Sequence, residues 1–115
     1  MNHLGLDEKQ SQFLDAIANE TRLRILTVLN QHGQQTIYCI SQRTGLVRKV
    51  IQKHLPYLTA ASVITERQEE RVIRHKLNGD NVTATRTLYG LNHVYPWMLS
   101  LRNLLEELGR QAVAA

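Results

Sequence analysis

Cysteine is nearly absent from this sequence: Cys39 stands alone among 115 residues. That excludes a disulfide within the chain and any zinc site built on a cysteine pair, and it fits a reducing compartment. No apolar run approaches the roughly 20 residues a bilayer-spanning helix needs. Residues Met1–Lys9 lack the charged-then-apolar pattern of a secretion signal. The expectation is a cytoplasmic protein without membrane contact. There is no low-complexity segment, no internal repeat, no Gly-rich phosphate loop and no nucleophile in a recognisable catalytic context, so no enzyme is expected. His3, His32, His54, His75 and His93 are scattered without ligand spacing. No metal and no cofactor is expected.

Acidic residues are scarce where basic ones gather. The chain carries a formal charge of +4, and between Arg43 and Arg86 nine bases stand against four acids, Glu66, Glu69, Glu70 and Asp80. The excess of that stretch alone exceeds the whole net charge. The first twenty residues are acidic instead, with Asp7, Glu8, Asp15 and Glu20 against Lys9. A basic middle suits an acidic partner such as nucleic acid. The composition, 43% hydrophobic and 21% charged, is ordinary for one globular domain over residues 1–115.

The hydrophobic spacing predicts a first helix over Asp7–Ala18, with Phe13, Leu14, Ile17 and Ala18 as its apolar stripe. A second, Arg22–Gln31, is apolar on most sides and reads as the central core helix. Gly33 stops it. Thr36 is a candidate N-cap for a short helix over Ile37–Thr44, and Gly45 stands where a left-handed C-cap is wanted. A fourth helix starts at Leu46 or Val47 and runs to about Thr59. Its inward positions are Val47, Val50, Ile51, Leu55 and Leu58; its outward positions are Arg48, Lys49, Gln52, Lys53 and His54. Beyond Ser62, Val63–Thr65, Arg71–Leu77 and Val82–Leu91 have strand composition, and Asn78-Gly79-Asp80-Asn81 is a turn signal. Either one long hairpin turns at Gly79, the preferred form, or Arg71–Asn78 closes a short hairpin and Val82–Leu91 adds a third strand. Pro96 opens a last helix over Trp97–Ala112.

A short helix, a glycine turn and a second helix with a basic outer face form a helix-turn-helix over 36–59, and a charged hairpin over 63–91 follows as its wing. The fold class is mainly α with a small antiparallel β wing. Here the chain resembles the ArsR-type winged helix-turn-helix regulators. The residues that carry the likeness are Ala16-Ile17-Ala18-Asn19-Glu20-Thr21-Arg22-Leu23-Arg24-Ile25-Leu26, Ile40-Ser41-Gln42-Arg43-Thr44-Gly45-Leu46 and Val50-Ile51-Gln52-Lys53-His54-Leu55 with Leu58. The resemblance implies a dimeric DNA-binding regulator of transcription, often a repressor, whose first and last helices (1–18 and 96–112) form the dimer. The family's metal-sensing branches need paired cysteines, or carboxylate and His ligands on the last helix. Neither set is present, and Glu106-Glu107 are adjacent rather than spaced for one site. Ser62 stands where the family has glycine, and Pro56 inside the recognition helix is a departure read as a kink near a helix end.

The expected double-stranded DNA contacts are Arg48, Lys49, Gln52, Lys53 and His54, with Thr44 from the preceding helix and Arg67, Arg71 and Arg74 from the wing. Arg suits guanine and Gln suits adenine in the major groove. Arg22 and Arg24 could meet phosphates or pair with the acidic first helix, and the sequence leaves both open. Phe13, Ile17, Trp97, Leu101, Leu104, Leu105 and Leu108 are the expected homodimer seam. The regulator would act in the prokaryotic cytosol on the nucleoid; any small-molecule effector is unknown. Two other readings stay open: a winged-helix module that docks protein or RNA without reading DNA, and a redox- or ligand-responsive regulator working through Cys39.

Overall fold

The computed structural model describes residues 5–74 and 77–114, so His3, His75 and Lys76 lie outside the described residues. The elements are α1 (Glu8–Ile17), α2 (Glu20–His32), α3 (Ile37–Thr44), α4 (Arg48–Ala60), β1 (Ile64–Arg74), β2 (Asn81–Leu91) and α5 (Met98–Ala114). This is a winged helix-turn-helix of five helices and a two-stranded antiparallel hairpin, mainly α as the sequence predicts.

Local chemistry accounts for most helix ends. Asp7 caps α1 in a reciprocal box: its carboxylate accepts from the Gln10 N–H at 2.8 Å, and the Gln10 side chain accepts from the Asp7 N–H at 3.0 Å. Asn19 caps α2 by accepting from the Arg22 N–H at 3.0 Å, and the helix begins at Glu20, two residues earlier than the sequence suggested. Thr36 caps α3 through the Cys39 N–H at 3.2 Å, and Gly45, at φ +75°, ends it in the left-handed region. Ser62 also has a positive φ, 58°, and with the Val63 N–H returned to the Leu58 carbonyl at 2.9 Å it ends α4. The family's glycine preference at this position therefore has a backbone cause, which Ser62 meets under strain.

The core collects Phe13 from α1, Ile25, Leu26 and Leu29 from α2, Ile40 from α3, and Ile51, Leu55 and Leu58 from α4; Met98, Leu101 and Leu105 of α5 close it. Each such side chain contributes about 1.5–3 kcal/mol when removed from water. Gly109 of α5 is buried against Gln31 and Thr27 of α2.

The wing takes the long form. β1 and β2 pair without a bulge from Ile64↔Leu91 to Arg74↔Asn81. Its base is anchored by buried Ile64, Leu88 and Tyr89, and its outer part is solvent-exposed on both faces. It gives the molecule its 63 Å long axis. A short bridge escaped the sequence reading: Gln35 and Tyr89 exchange two backbone hydrogen bonds of 2.8 Å, fixing the α2–α3 loop to β2.

Candidate nucleic-acid interface

Between Glu20 and Glu66 the chain contains no acidic residue but six basic ones, Arg22, Arg24, Arg43, Arg48, Lys49 and Lys53. The helix-turn-helix lies wholly inside this stretch. Ile51, Leu55 and Leu58 turn one face of α4 into the core, which leaves Arg48, Lys49, Gln52 and Lys53 exposed on the other. Arg48 and Lys49 occupy the first turn, where helix dipole and side chains present positive charge together. Val47, expected inward, is the N-cap residue and is 64% exposed, because the helix begins one residue later than its pattern implied.

Two aromatic side chains border this face, and the sequence reading missed both. Tyr38 of α3 and Tyr57 of α4 are each 55% exposed. The Arg48 guanidinium lies 5.2 Å from the centre of the Tyr38 ring, which steadies a long side chain. Exposed aromatics in an amphipathic pattern look like core residues until the helices are packed, so only an excess over what one small core needs could have flagged them.

Thr44 does not belong to the exposed set. It is 5% exposed, and its hydroxyl donates to the Ile40 carbonyl at 2.7 Å while accepting from the Leu46 N–H at 3.1 Å. Those bonds hold the turn, and its side chain is not available to a ligand. His54 is also drawn inward. It is half-buried, and its Nδ1 accepts from Arg22 Nε at 3.2 Å. Burial, and then the positive charges of Arg22 and Lys53, hold its pKa below the ordinary 6.5.

Among the described residues Arg22 and Arg24 form no ion pair with the acidic first helix; both are held by polar groups of the helical body. Arg22 also donates to the Ala16 carbonyl at 3.3 Å and lies 4.2 Å over the Tyr57 ring. Arg24 donates to the Thr44 carbonyl at the C-terminus of α3, a favourable place for a cation.

The wing arginines do not form one row. Strand alternation puts Arg67 and Arg71 on one face of β1 and Arg74 on the other. Arg67 donates to Gln34 Oε1 at 2.8 Å and lies 3.5 Å from Glu69, which also pairs with Arg86 at 2.8 Å. Part of the wing's positive charge is thus met within the hairpin. Arg71 and Arg74 are exposed, and Arg74 folds toward the turn, where its Nη2 lies 3.3 Å from the place a Cβ on Gly79 would take.

The apolar stripe of α5 divides. Phe13, Leu101 and Leu105 are buried in the chain's own core, so they are corrected from seam to core. Leu108 is half-buried and lines a cleft against α2 rather than α1. Ile17, Trp97 and Leu104 remain at an apolar groove of about 290 Å³ between α1 and α5, joined by Leu6 and Leu14. Leu14 and Leu104 are 44% and 45% exposed. Trp97 stacks on Tyr95 with ring centres 4.4 Å apart and meets Phe13 edge-on at 6.0 Å.

Cys39 is half-buried on α3. Among the described residues no group of three or more His, Cys, Asp or Glu side chains is placed to hold a metal ion, and no helix is long and apolar enough to cross a membrane.

No protein-family model and no curated protein matches the sequence. Solved structures do match. HlyU from Vibrio cholerae superposes with a TM-score of 0.61 at 24% identity, over 90% of each chain. The transcriptional repressor PagR of Bacillus anthracis gives 0.58 at 20% identity, over 88% of this chain and 93% of that one. The homodimeric winged helix-turn-helix DNA-binding domain Mb0332 from Mycobacterium bovis, described as a possible ArsR-family transcriptional regulator, gives 0.60 at 22%, over 93% and 79%. At these identities the likeness establishes the winged helix-turn-helix fold, and it agrees with the ArsR-type resemblance of the sequence.

Proposed function

We propose that this chain, which has the winged helix-turn-helix fold, is a sequence-specific double-stranded DNA-binding regulator of transcription, acting as a homodimeric repressor in the prokaryotic cytoplasm. One observation carries the reading. The outer face of α4 presents Arg48, Lys49, Gln52 and Lys53 to solvent within a stretch that holds no carboxylate. Such a face suits a major groove: its N-terminal residues reach base edges and its other cations meet phosphates. Arg71 and Arg74 extend the contact to the flanking backbone, one from each face of the wing. PagR and Mb0332 support the reading by their stated roles as transcriptional repressor and homodimeric DNA-binding domain.

The groove between α1 and α5, which exposed Leu14 and Leu104 border, supports the homodimer. A twofold pair would place two copies of α4 in successive major grooves, roughly 34 Å apart, on a near-palindromic site. Selection of bound sequences from a random duplex pool tests the reading. A symmetric motif is the expected outcome, and the Arg48→Ala/Lys49→Ala double variant should bind it at least about tenfold more weakly while keeping its fold. A pool that yields no enriched sequence would end the proposal of sequence specificity.

A further inference from the structure

A polar tie from α4 to α1 and α2 runs through one guanidinium. Arg22, in the first turn of α2, donates from Nη1 to the Ala16 carbonyl of α1 at 3.3 Å and from Nε to His54 Nδ1 of α4 at 3.2 Å. The same group lies 4.2 Å from the ring centre of Tyr57, one turn further along α4. Arg22 and His54 are both half-buried. They sit immediately behind the turn that exposes Gln52 and Lys53.

We propose that Arg22 and His54 form a positioning pair that sets the tilt of the recognition helix against DNA, neither of them touching the duplex, and that protonation of His54 releases it. This rests on the DNA-binding reading above. To accept from Arg22, Nδ1 must be unprotonated, so the neutral ring carries its proton on Nε2. A proton on Nδ1 turns the acceptor into a donor facing a donor. It also sets two cations in contact beside a third, Lys53. The charged groups facing His54 are Arg22 from α2 and Lys53 from its own helix; Tyr57 is the titratable neighbour on α4, and α1 contributes the uncharged Ala16 carbonyl through Arg22. Once the pair opens, α4 keeps its apolar packing but loses its polar tie to α1 and α2. Lysine cannot replace Arg22, because a single ammonium lacks the planar fork that serves a carbonyl, an imidazole and a ring face together.

The sign of the pH response separates this from a direct contact. A His54 that met phosphate would bind DNA more tightly as it gained charge; a His54 that holds Arg22 weakens binding instead. The experiment is a fluorescence anisotropy titration of the selected duplex at constant ionic strength, from about pH 7.5 to about pH 5.5, with wild type, His54→Asn and Arg22→Lys. Asn offers an oxygen acceptor near the place of Nδ1 and does not titrate, so His54→Asn carries the contribution of every other group. Relative to it, wild-type affinity is expected to fall about three- to tenfold at the acid end, the worth of one hydrogen bond. Arg22→Lys is expected to show the weaker binding already at neutral pH, without the acid step. Nitrogen-15 NMR of His54 provides a readout that does not involve DNA: an unprotonated Nδ1 that accepts a hydrogen bond in wild type, and loss of that hydrogen-bond signature in Arg22→Lys. Wild-type binding that strengthens in acid relative to His54→Asn, or profiles that run parallel, overturns the inference and leaves DNA binding standing. A chain that binds no duplex at any pH overturns both.

Discussion

Ser62 shows how a single backbone angle can outweigh side-chain chemistry. Its φ of 58° lies where a Cβ is crowded, and its neighbours hold it there: the Ser62 N–H bonds to the Thr59 carbonyl at 3.0 Å, and the Ser62 carbonyl accepts from Asn92 Nδ2 at 3.0 Å. Glycine would relieve the strain without disturbing either bond. Ser62→Gly is expected to raise stability by about 1 kcal/mol, read as a higher urea midpoint at unchanged slope; a lower midpoint would mean that the position is not strained. Other residues divide by how local their cause is. Thr36 and Gly45 were legible as caps because a cap acts within one helical turn, whereas Asp7, read as the first helical residue, is the N-cap of α1. Thr44 and His54 were not legible, because facing outward by spacing does not reveal a hydroxyl bound to its own turn or an imidazole held by Arg22. The three partners of Arg22 were not legible, since they come from α1 and α4.

Among the elements, α3 was read to the residue because a cap and a glycine bound it, whereas α4 was displaced by one residue at its start, where Val47 makes no side-chain cap. The long hairpin was legible from a strong turn signal between two β-branched runs. The Gln35–Tyr89 bridge was not, for it depends on a distant strand arriving beside a loop with no β pattern of its own. Pro56 lies within α4, which continues to Ala60 across it. It cannot donate to the Gln52 carbonyl, and Pro56 is exposed, so packing gives little in return. Pro56→Ala is expected to stabilise the protein by about 1–3 kcal/mol, measured by chemical denaturation. A destabilised variant would show that Pro56 itself serves the packing of α4.

The whole molecule is a small helical body with a long basic-tipped wing and an apolar groove between α1 and α5. A stripe of leucines on α5 was legible, but not how it would be shared, because one helix face can serve its own core and a partner at once. Leu101 and Leu105 go to the core, and Leu14 and Leu104 border the groove. Wild type is expected to be a dimer by sedimentation velocity, and Leu14→Glu with Leu104→Glu a folded monomer. Its affinity for a palindromic duplex should fall by at least about tenfold, since each half-site is then bound alone. A double variant that remains dimeric would move the seam elsewhere. The central claim is that the acid-free face of α4 meets the phosphates and bases of a duplex. The most direct measurement is the slope of log affinity against log salt concentration for wild type and for Arg48→Ala/Lys49→Ala. Wild type is expected to lose affinity steeply, at about 0.9 per phosphate contacted, and the double variant to show a shallower slope by roughly one for each cation that meets a phosphate. A wild-type affinity indifferent to salt, or a slope that both proteins share at equal affinity, would contradict it.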